Sequence, residues 1–339
     1  MASYRLALLG YGNVGRAFVR LLRAKQGELQ QRFGVTCLIS GVASRHLGWL
    51  AEPTGLDPDR LTPQPETWSV SGIAAWLAKA QADVLLEMTS LNAQTGQPAI
   101  VYLEAALRHG AHAISANKGP VVFGFQRLSA LARTVGRRYL FESAVMDGAP
   151  VFSLFRETLP AARLLRFRGI LNSTTNFLLT KMEEGASFDE AVAQAQAIGI
   201  AETDPSADID GWDAAVKVAA LVTVLMEVPH LPDQVRREGI RNLDPAAVRL
   251  ARQVGQPYKL VCRAERTPGG VASSVAPERL PLSDPLANVS GTSSLVHFET
   301  DVLPGLTIIE HNPGPETTAY GLLADLLRAV EAQTWQSAS

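Results

Sequence analysis

Arg5-Leu6-Ala7-Leu8-Leu9-Gly10-Tyr11-Gly12-Asn13-Val14-Gly15 is the stretch that decides how this chain folds. Arg5 to Leu9 is a short apolar run suited to a buried parallel strand. It enters a GxGxxG turn, and a helical stretch follows from Arg16 to Arg23. Strand, glycine turn and helix in that order form a dinucleotide fingerprint. Gly10 permits the tight turn, Gly12 lets the backbone approach a pyrophosphate, and Gly15 lets helix and strand pack closely. The N-terminus of the helix that follows faces the phosphates. A glycine-rich turn without a ligand would carry the same letters, so the βα alternation downstream gives the motif its weight.

That alternation continues. Val35 to Val42 is the next apolar strand and ends in Ala43-Ser44-Arg45. An NAD-selective site usually places an acid there for the ribose 2′-hydroxyl; an arginine instead favours the 2′-phosphate of NADP. Residues 52–68, rich in Pro and polar groups, read as a surface loop. Val84 to Met88 is a third strand and ends at Thr89-Ser90, hydroxyls at a strand's carboxyl end, where open α/β sheets bind ligands. A helix over 98–108 leads to the strand Ala111 to Ile114 and then to Ser115-Ala116-Asn117-Lys118-Gly119-Pro120. Lys118, just past a strand end and closed off by Gly-Pro, suits a substrate or cofactor contact. A helix from about Phe125 to Thr134 and a strand over 138–142 complete this half. His109 and His112 lack metal spacing and read as structural or exposed.

The second half centres on Gly211 to Met226, an almost wholly apolar helix that should be buried on most sides. Only Asp213 and Lys217 carry charge before Glu227. Their i,i+4 spacing puts both on one face. Burying two charges is costly unless they pair or act. A surface salt bridge is the plainer account. Upstream, however, Glu202, Asp204, Asp208 and Asp210 crowd the helix entrance. Some of these acids favour a helix N-terminus; together they also suit gripping a substrate ammonium group. Before them, Asn172-Ser173-Thr174-Thr175-Asn176 is dense in short polar groups, more than N-capping needs, and reads as a polar wall beside a ligand. Asp208 and Thr175 are the substrate contacts expected from these two segments. Ser187 and Glu190 signal a capped helix start, and Gly199 its C-terminal glycine.

Composition narrows the class. The chain has 339 residues, 47% hydrophobic content and a net charge of −2. That suffices for two domains. No basic block points to nucleic acid, and the longest apolar run is too short for a bilayer and carries Lys217. Cys37 and Cys262 lack metal-ligand spacing and read as free thiols in a reducing compartment. The N-terminus enters a strand without a signal-peptide layout. A soluble, cytoplasmic protein is expected.

Several segments together resemble the homoserine dehydrogenase family: the GxGNVG turn, Ala116-Asn117-Lys118, Gly169 through Phe177, and Gly199-Ile200-Ala201-Glu202 through Asp213-Ala214-Ala215-Val216-Lys217. The resemblance spans most of the chain and is most specific from Asn172 to Lys217. It implies NAD(P)-dependent interconversion of L-aspartate 4-semialdehyde and L-homoserine, in threonine, methionine and isoleucine biosynthesis. It further implies that Glu202 and Asp213 hold the substrate, Glu202 through its ammonium group. Lys217 would be the proton donor, with Lys118 a second lysine near the reacting carbonyl. Asn13, Val14, Thr89, Ser115 and Lys118 would line the cofactor, and Gly199 and Gly314 would approach it by backbone. A monovalent cation, usually sodium, would sit in the loop of Glu142, Val145, Asp147 and Ala149, mostly on carbonyls. Where the resemblance leads one to expect a small residue, often glycine, this chain has Asp147.

The resulting expectation is an α/β chain. A Rossmann-type nucleotide-binding domain spans residues 1–148, completed by 312–339. An α+β substrate-binding and dimerisation domain spans 149–311. NADP is the favoured cofactor over NAD, and a homodimer the expected assembly. The short C-terminal segment leaves no room for a regulatory module, so feedback through one is expected to be weak or absent. Two other readings share parts of the pattern. Another amino acid dehydrogenase on the same plan would not need Glu202, Asp213 and Lys217 together. A non-catalytic NADP-binding sensor would keep the glycines but need no charge pair in a buried helix.

Overall fold

The computed structural model describes residues 2–336, with side chains to Val330. Met1 and residues 337–339, which the expected boundaries include, lie outside the described residues. In chain order the strands are β1 (Ala2–Leu9), β2 (Val35–Ser44), β3 (Gly48–Ala51), β4 (Val84–Glu87), β5 (His112–Ser115), β6 (Tyr139–Leu140), β7 (Leu164–Ile170), β8 (Arg236–Arg237), β9 (Tyr258–Thr267), β10 (Gly270–Arg279), β11 (Ser294–Thr300) and β12 (Leu306–Glu310). The helices are α1 (Asn13–Phe33), α2 (Ile73–Ala80), α3 (Ala99–His109), α4 (Lys118–Thr134), α5 (Ser173–Glu183), α6 (Phe188–Ala197), α7 (Ser206–Ile209), α8 (Trp212–Leu225), α9 (Pro245–Gln253) and α10 (Pro315–Gln336). The chain divides into two compact units, Met1–Pro150 with Gly314–Ser339, and Val151–Pro313.

The first unit is built on a sheet of order β3-β2-β1-β4-β5-β6. All its pairings are parallel except β2 with β3. The apolar run of β1 sits centrally, and Leu6, Ala7, Leu8 and Leu9 are fully buried. Strand order reverses at β1 and β4, so the loops after these strands open a crevice at their carboxyl ends. The core draws on α1 and on Leu322, Leu326 and Val330 of α10, so the last helix completes this unit.

Two expectations change here. α4 begins at Lys118, not near Phe125. Gly119-Pro120 does not close off the lysine, because a first-turn proline lacks only an N–H that has no intrahelical partner anyway. Asn117 caps the helix by accepting from the Gly119 N–H at 3.0 Å. Residues 52–68 are not plain loop: Pro65–Thr67 form a 3₁₀ turn, and Trp68 stacks on Trp49 at 4.5 Å.

The second unit holds a sheet of order β12-β11-β7-β9-β10-β8. Helix α8 packs on β9 and β10. Its residues Ala214, Ala215, Val216 and Val218 through Val222 are fully buried, as its apolar sequence requires. Ser187 and Glu190 form the expected reciprocal cap on α6. Among the described residues no helix is long and apolar enough to cross a membrane. Cys262 is buried and Cys37 half-buried; both are free thiols, and burial pushes each up to about 12. His112 is buried and its Nδ1 accepts the Arg138 N–H at 3.1 Å. Burial lowers it to about 4, a neutral structural histidine.

Candidate active site

In the first unit the glycine turn behaves as its sequence requires. Gly10 has φ +95°, and a Cβ there would lie 2.4 Å from the Met88 carbonyl oxygen. A Cβ on Gly15 would lie 2.6 Å from the Gly10 carbonyl oxygen, whereas Gly12 faces open space. Gly12 is the N-cap of α1 and offers no side-chain cap, so the first-turn N–H groups remain available to an anion. Beside the turn lies a cavity of about 420 Å³. Gly10, Gly12, Arg45, Trp68, Thr89 and Tyr102 are among its walls. Arg45 projects from the turn between β2 and β3 and is exposed. Asn13 is exposed and Val14 half-buried at the start of α1.

Thr89 and Ser115 stand at the ends of β4 and β5, and both are tied to Glu87, a strand residue that no local sequence signal singles out. The Thr89 N–H donates to Glu87 Oε1 at 2.8 Å and the Ser115 hydroxyl to Oε2 at 2.6 Å. Glu87 is fully buried, and burial pushes its carboxyl upward against these bonds. Ser115 is itself fully buried, so its hydroxyl serves Glu87. Lys118 is half-buried at the first position of α4. Gly314 caps the start of α10, its N–H donating to the Thr317 hydroxyl at 2.9 Å.

In the second unit the expected polar wall and acids converge on one side chain, Asn172. Its Nδ2 donates to Asp208 at 2.6 Å and to Asp213 at 2.9 Å. Its Oδ1 accepts from the Thr175 N–H at 2.8 Å and the Thr175 hydroxyl at 2.9 Å. One amide therefore spends both donors on two carboxylates and its acceptor on capping α5. Lys217 lies 3.7 Å from Asp213, and its Nζ donates to the Leu171 carbonyl at 2.6 Å. The Lys217 and Asp213 side chains are only 14% and 17% exposed. Burial, then the negative charge of Asp213, hold the Asp208 carboxyl above its usual range, against the bonds from Asn172 and Thr174 and the charge of Lys217.

The four entrance acids separate. The Asp204 carboxylate caps its own turn, accepting from the Ser206 N–H at 3.1 Å. Asp210 pairs with Arg241 at 2.8 Å. Asp208 joins Asn172. Glu202 is exposed, and its carboxylate makes no hydrogen bond or ion pair among the described residues. Gly199 is exposed after α6, with open space beside its Cα. Thr175 is fully buried, its hydroxyl turned to Asn172. The signal that marked Asn172 in the sequence, its place before a helix, accounted for its cap but not for its grip on two acids distant in the chain.

The loop of Glu142, Val145, Asp147 and Ala149 belongs to the first unit. Glu142 is 2% exposed and its carboxylate lies 3.4 Å from Arg328. Asp147 has φ +44°, a left-handed conformation that Asp tolerates better than most residues. Its carboxylate accepts from the Thr318 hydroxyl at 2.6 Å. The carbonyls of Val145 and Asp147 accept no hydrogen bond among the described residues. Carbonyl donors of this kind suit a hard cation. No cluster of three or more His, Cys, Asp or Glu side chains fit for a metal occurs among the described residues.

Known proteins match both halves of the chain. A family model described as homoserine dehydrogenase, NAD binding domain, matches residues 10–142. A second, described as homoserine dehydrogenase, matches residues 150–327. The chain is 34% identical to the NAD(+)-dependent homoserine dehydrogenase of Pseudomonas canavaninivorans, covering 98% of each. It is 34% identical to the homoserine dehydrogenase of Sulfurisphaera tokodaii, over 95% of this chain and 97% of that one. Among solved structures, a putative homoserine dehydrogenase from Archaeoglobus fulgidus superposes with a TM-score of 0.84 at 27% identity, covering 96% of this chain and 98% of that one. A hyperthermophilic archaeal homoserine dehydrogenase mutant in complex with NADPH gives 0.80 at 26% identity, covering 97% and 98%.

Proposed function

This chain belongs to the homoserine dehydrogenase family, an NAD(P)-dependent oxidoreductase that interconverts L-homoserine and L-aspartate 4-semialdehyde in threonine, methionine and isoleucine biosynthesis, and from that premise we propose how its own residues divide the work. When bound, the nicotinamide supplies the hydride to the aldehyde carbon, or takes it from the alcohol carbon in reverse. Negative charge then grows on the carbonyl oxygen. The Lys217 ammonium stabilises it and delivers the proton; in the reverse direction the neutral amine removes the hydroxyl proton. The observation that carries this is the hold on Lys217: its Nζ is anchored at 2.6 Å to the Leu171 carbonyl, beside Asp213, on an otherwise apolar helix.

The exposed Glu202 carboxylate takes the substrate ammonium, and Asp213 and Asp208, oriented by Asn172, complete the acidic half of the site. Thr175 acts through Asn172. Lys118 is the second lysine assisting the carbonyl. Gly10, Gly12, Asn13, Val14 and Gly15 hold the pyrophosphate; Thr89, Ser115, Gly199 and Gly314 support the rest of the cofactor.

NADP is the preferred cofactor. Arg45 in the cavity wall, with no acid in the Ala43-Ser44-Arg45 turn, supports this. The relatives divide on the point, one named for NAD(+) and one solved with NADPH. A sodium-sized cation on the carbonyls of Glu142, Val145, Asp147 and Ala149 would brace the loop that Thr318 holds. A cytoplasmic homodimer is the proposed assembly. The second sheet would form the interface, with the half-exposed pairs Arg166–Glu299 at 2.6 Å and Arg263–Glu278 at 2.5 Å on its strands.

The test is oxidation of a panel of amino acids with NADP and NAD, followed at the nicotinamide absorbance. Turnover of L-homoserine with NADP ahead of NAD supports the proposal. Faster turnover with NAD overturns the cofactor preference, and another preferred amino acid overturns the assignment of the acidic residues.

A further inference from the structure

We infer that Glu87 is a positioning residue of the cofactor site, a buried carboxylate that sets Thr89 and the start of the Lys118 helix in place. The inference rests on the reading of the first unit as the nicotinamide-cofactor cradle. Val84, Leu85 and Leu86 before it are fully buried, and so is Glu87. A carboxylate is an expensive choice at the end of such a strand, where an apolar side chain would serve packing alone.

Its two oxygens are used separately. Oε1 takes the Thr89 N–H at 2.8 Å together with the Thr89 hydroxyl, and Oε2 takes the Ser115 hydroxyl at 2.6 Å. Ser115 Oγ in turn accepts the Asn117 N–H at 3.0 Å. Asn117 Nδ2 donates back to the Thr89 carbonyl at 3.3 Å, which closes a ring through Glu87, Ser115, Asn117 and Thr89. The same Asn117 caps α4 through the Gly119 N–H at 3.0 Å, and Lys118 is the residue between them. Glu87 thus couples the loops after two neighbouring strands. One loop carries Thr89 in the cavity wall; the other carries Lys118. The first also abuts the glycine turn, since the Met88 carbonyl occupies the space a Cβ on Gly10 would need. Removing the carboxylate would leave three donors unpaired and free both loops to shift.

The experiment compares the full-length wild type with Glu87→Ala and Glu87→Gln. It measures melting temperature, Kd for NADPH and NADH by nicotinamide fluorescence, and kcat and KM for L-homoserine. Hydrogen bonds to a charged group are lost in the alanine variant, so cofactor Kd should rise about tenfold or more and kcat should fall, with homoserine KM within about threefold. Glutamine keeps the acceptor for Thr89 but cannot accept from Ser115; it should recover part of the loss while still binding cofactor more weakly than wild type. Glu87 is not a positioning residue if the folded alanine variant, or the glutamine variant where alanine does not fold, binds cofactor and turns over as wild type does. A change confined to melting temperature, or to homoserine KM, overturns it equally. If wild type bound neither NADPH nor NADH, the cradle reading itself would have failed, which is a different outcome.

Discussion

Lys217 is held by the main-chain carbonyl of Leu171, at 2.6 Å, more tightly than by its helical neighbour Asp213 at 3.7 Å. The i,i+4 acid is therefore not the sole anchor of the ammonium. A backbone carbonyl fixes its position without neutralising it, which leaves the charge for an oxyanion. Replacing Lys217 with Ala should lower kcat for homoserine oxidation by about 10²-fold or more, as loss of a general acid does. Circular dichroism should show an intact fold, since the change removes one polar side chain and leaves the buried apolar residues of α8 in place. Near-normal turnover in this variant would remove Lys217 from the chemistry.

Asn172 joins the Asp208 and Asp213 carboxylates to the start of α5. Asn172→Ala should raise homoserine KM about tenfold or more, because Asp208 and Asp213 each lose a charge-assisted bond and face one another unscreened. Loss of the cap should lower stability by about 1 kcal/mol. Steady-state kinetics with each substrate varied in turn would check the first effect; an equal rise in cofactor KM would contradict it.

Asp208 gives the acid side of the pH profile a direction. Its carboxyl is raised by burial and by the charge of Asp213. On lowering the pH it therefore protonates before ordinary carboxylates, and ammonium binding weakens early. The stability linkage has the opposite sense. A raised carboxyl favours the fold most below its unfolded value, and that contribution is lost as pH rises through the folded one. The kcat/KM for homoserine should fall on an acid limb above the usual carboxylate range. In Asp208→Asn that limb should move down; an unchanged limb assigns it to another group.

On the proposed reading, Arg45 in the wall of the first unit's cavity is the residue that would distinguish the two nicotinamide dinucleotides. Arg45→Ala should raise KM for NADP by about tenfold or more, the size of a charge-assisted bond to phosphate, and leave KM for NAD within about twofold. Equal effects on both would take the 2′-phosphate out of its reach.

Lys259 is an ammonium buried beneath the polar wall. It is 1% exposed and donates to Asn176 Oδ1 at 3.2 Å and to the Val289 carbonyl at 2.6 Å. Burial lowers it to about 8. Because the folded value lies below the unfolded one, the unfolded chain binds the proton more tightly, and folding stability gains as pH rises from about 8 toward the unfolded value. The gain is at most about 1.4 kcal/mol per pH unit. Above the unfolded thiol range, Cys37 and Cys262 act in the opposite sense, so the effect is read as a difference. Lys259→Met should be less stable at neutral pH through two unpaired acceptors, and should lack the rise between about pH 8 and 9 in chemical denaturation. A parallel pH dependence in both proteins would show that Lys259 does not titrate there.

Much of the architecture was legible because it rests on local rules. The β1 run, the Gly10–Gly15 turn, the Ser187–Glu190 cap and the apolar length of α8 each follow from neighbours in the chain. Lys118 follows a strand as its position in the sequence predicts, but it opens α4, because Gly119-Pro120 lies inside a first helical turn, where Gly-Pro does not act as a stop. Residues 52–68 are mostly exposed loop, as their composition predicts, but Trp68 is half-buried because it stacks on Trp49 and lines the cavity.

By itself the sequence determined the two-part α/β plan, the dinucleotide turn and the acid–lysine helix, since each is written in short-range spacing and hydrophobic period. Only the tertiary structure decided which polar groups work together. Glu87 looks like one more strand residue until β5 and α4 bring Ser115 and Asn117 to it, and Asn172 looks like a cap until α7 and α8 bring Asp208 and Asp213 within reach of one amide. Hydrogen bonds between residues distant in the chain depend on where the backbone returns, and no local pattern of residue types encodes that.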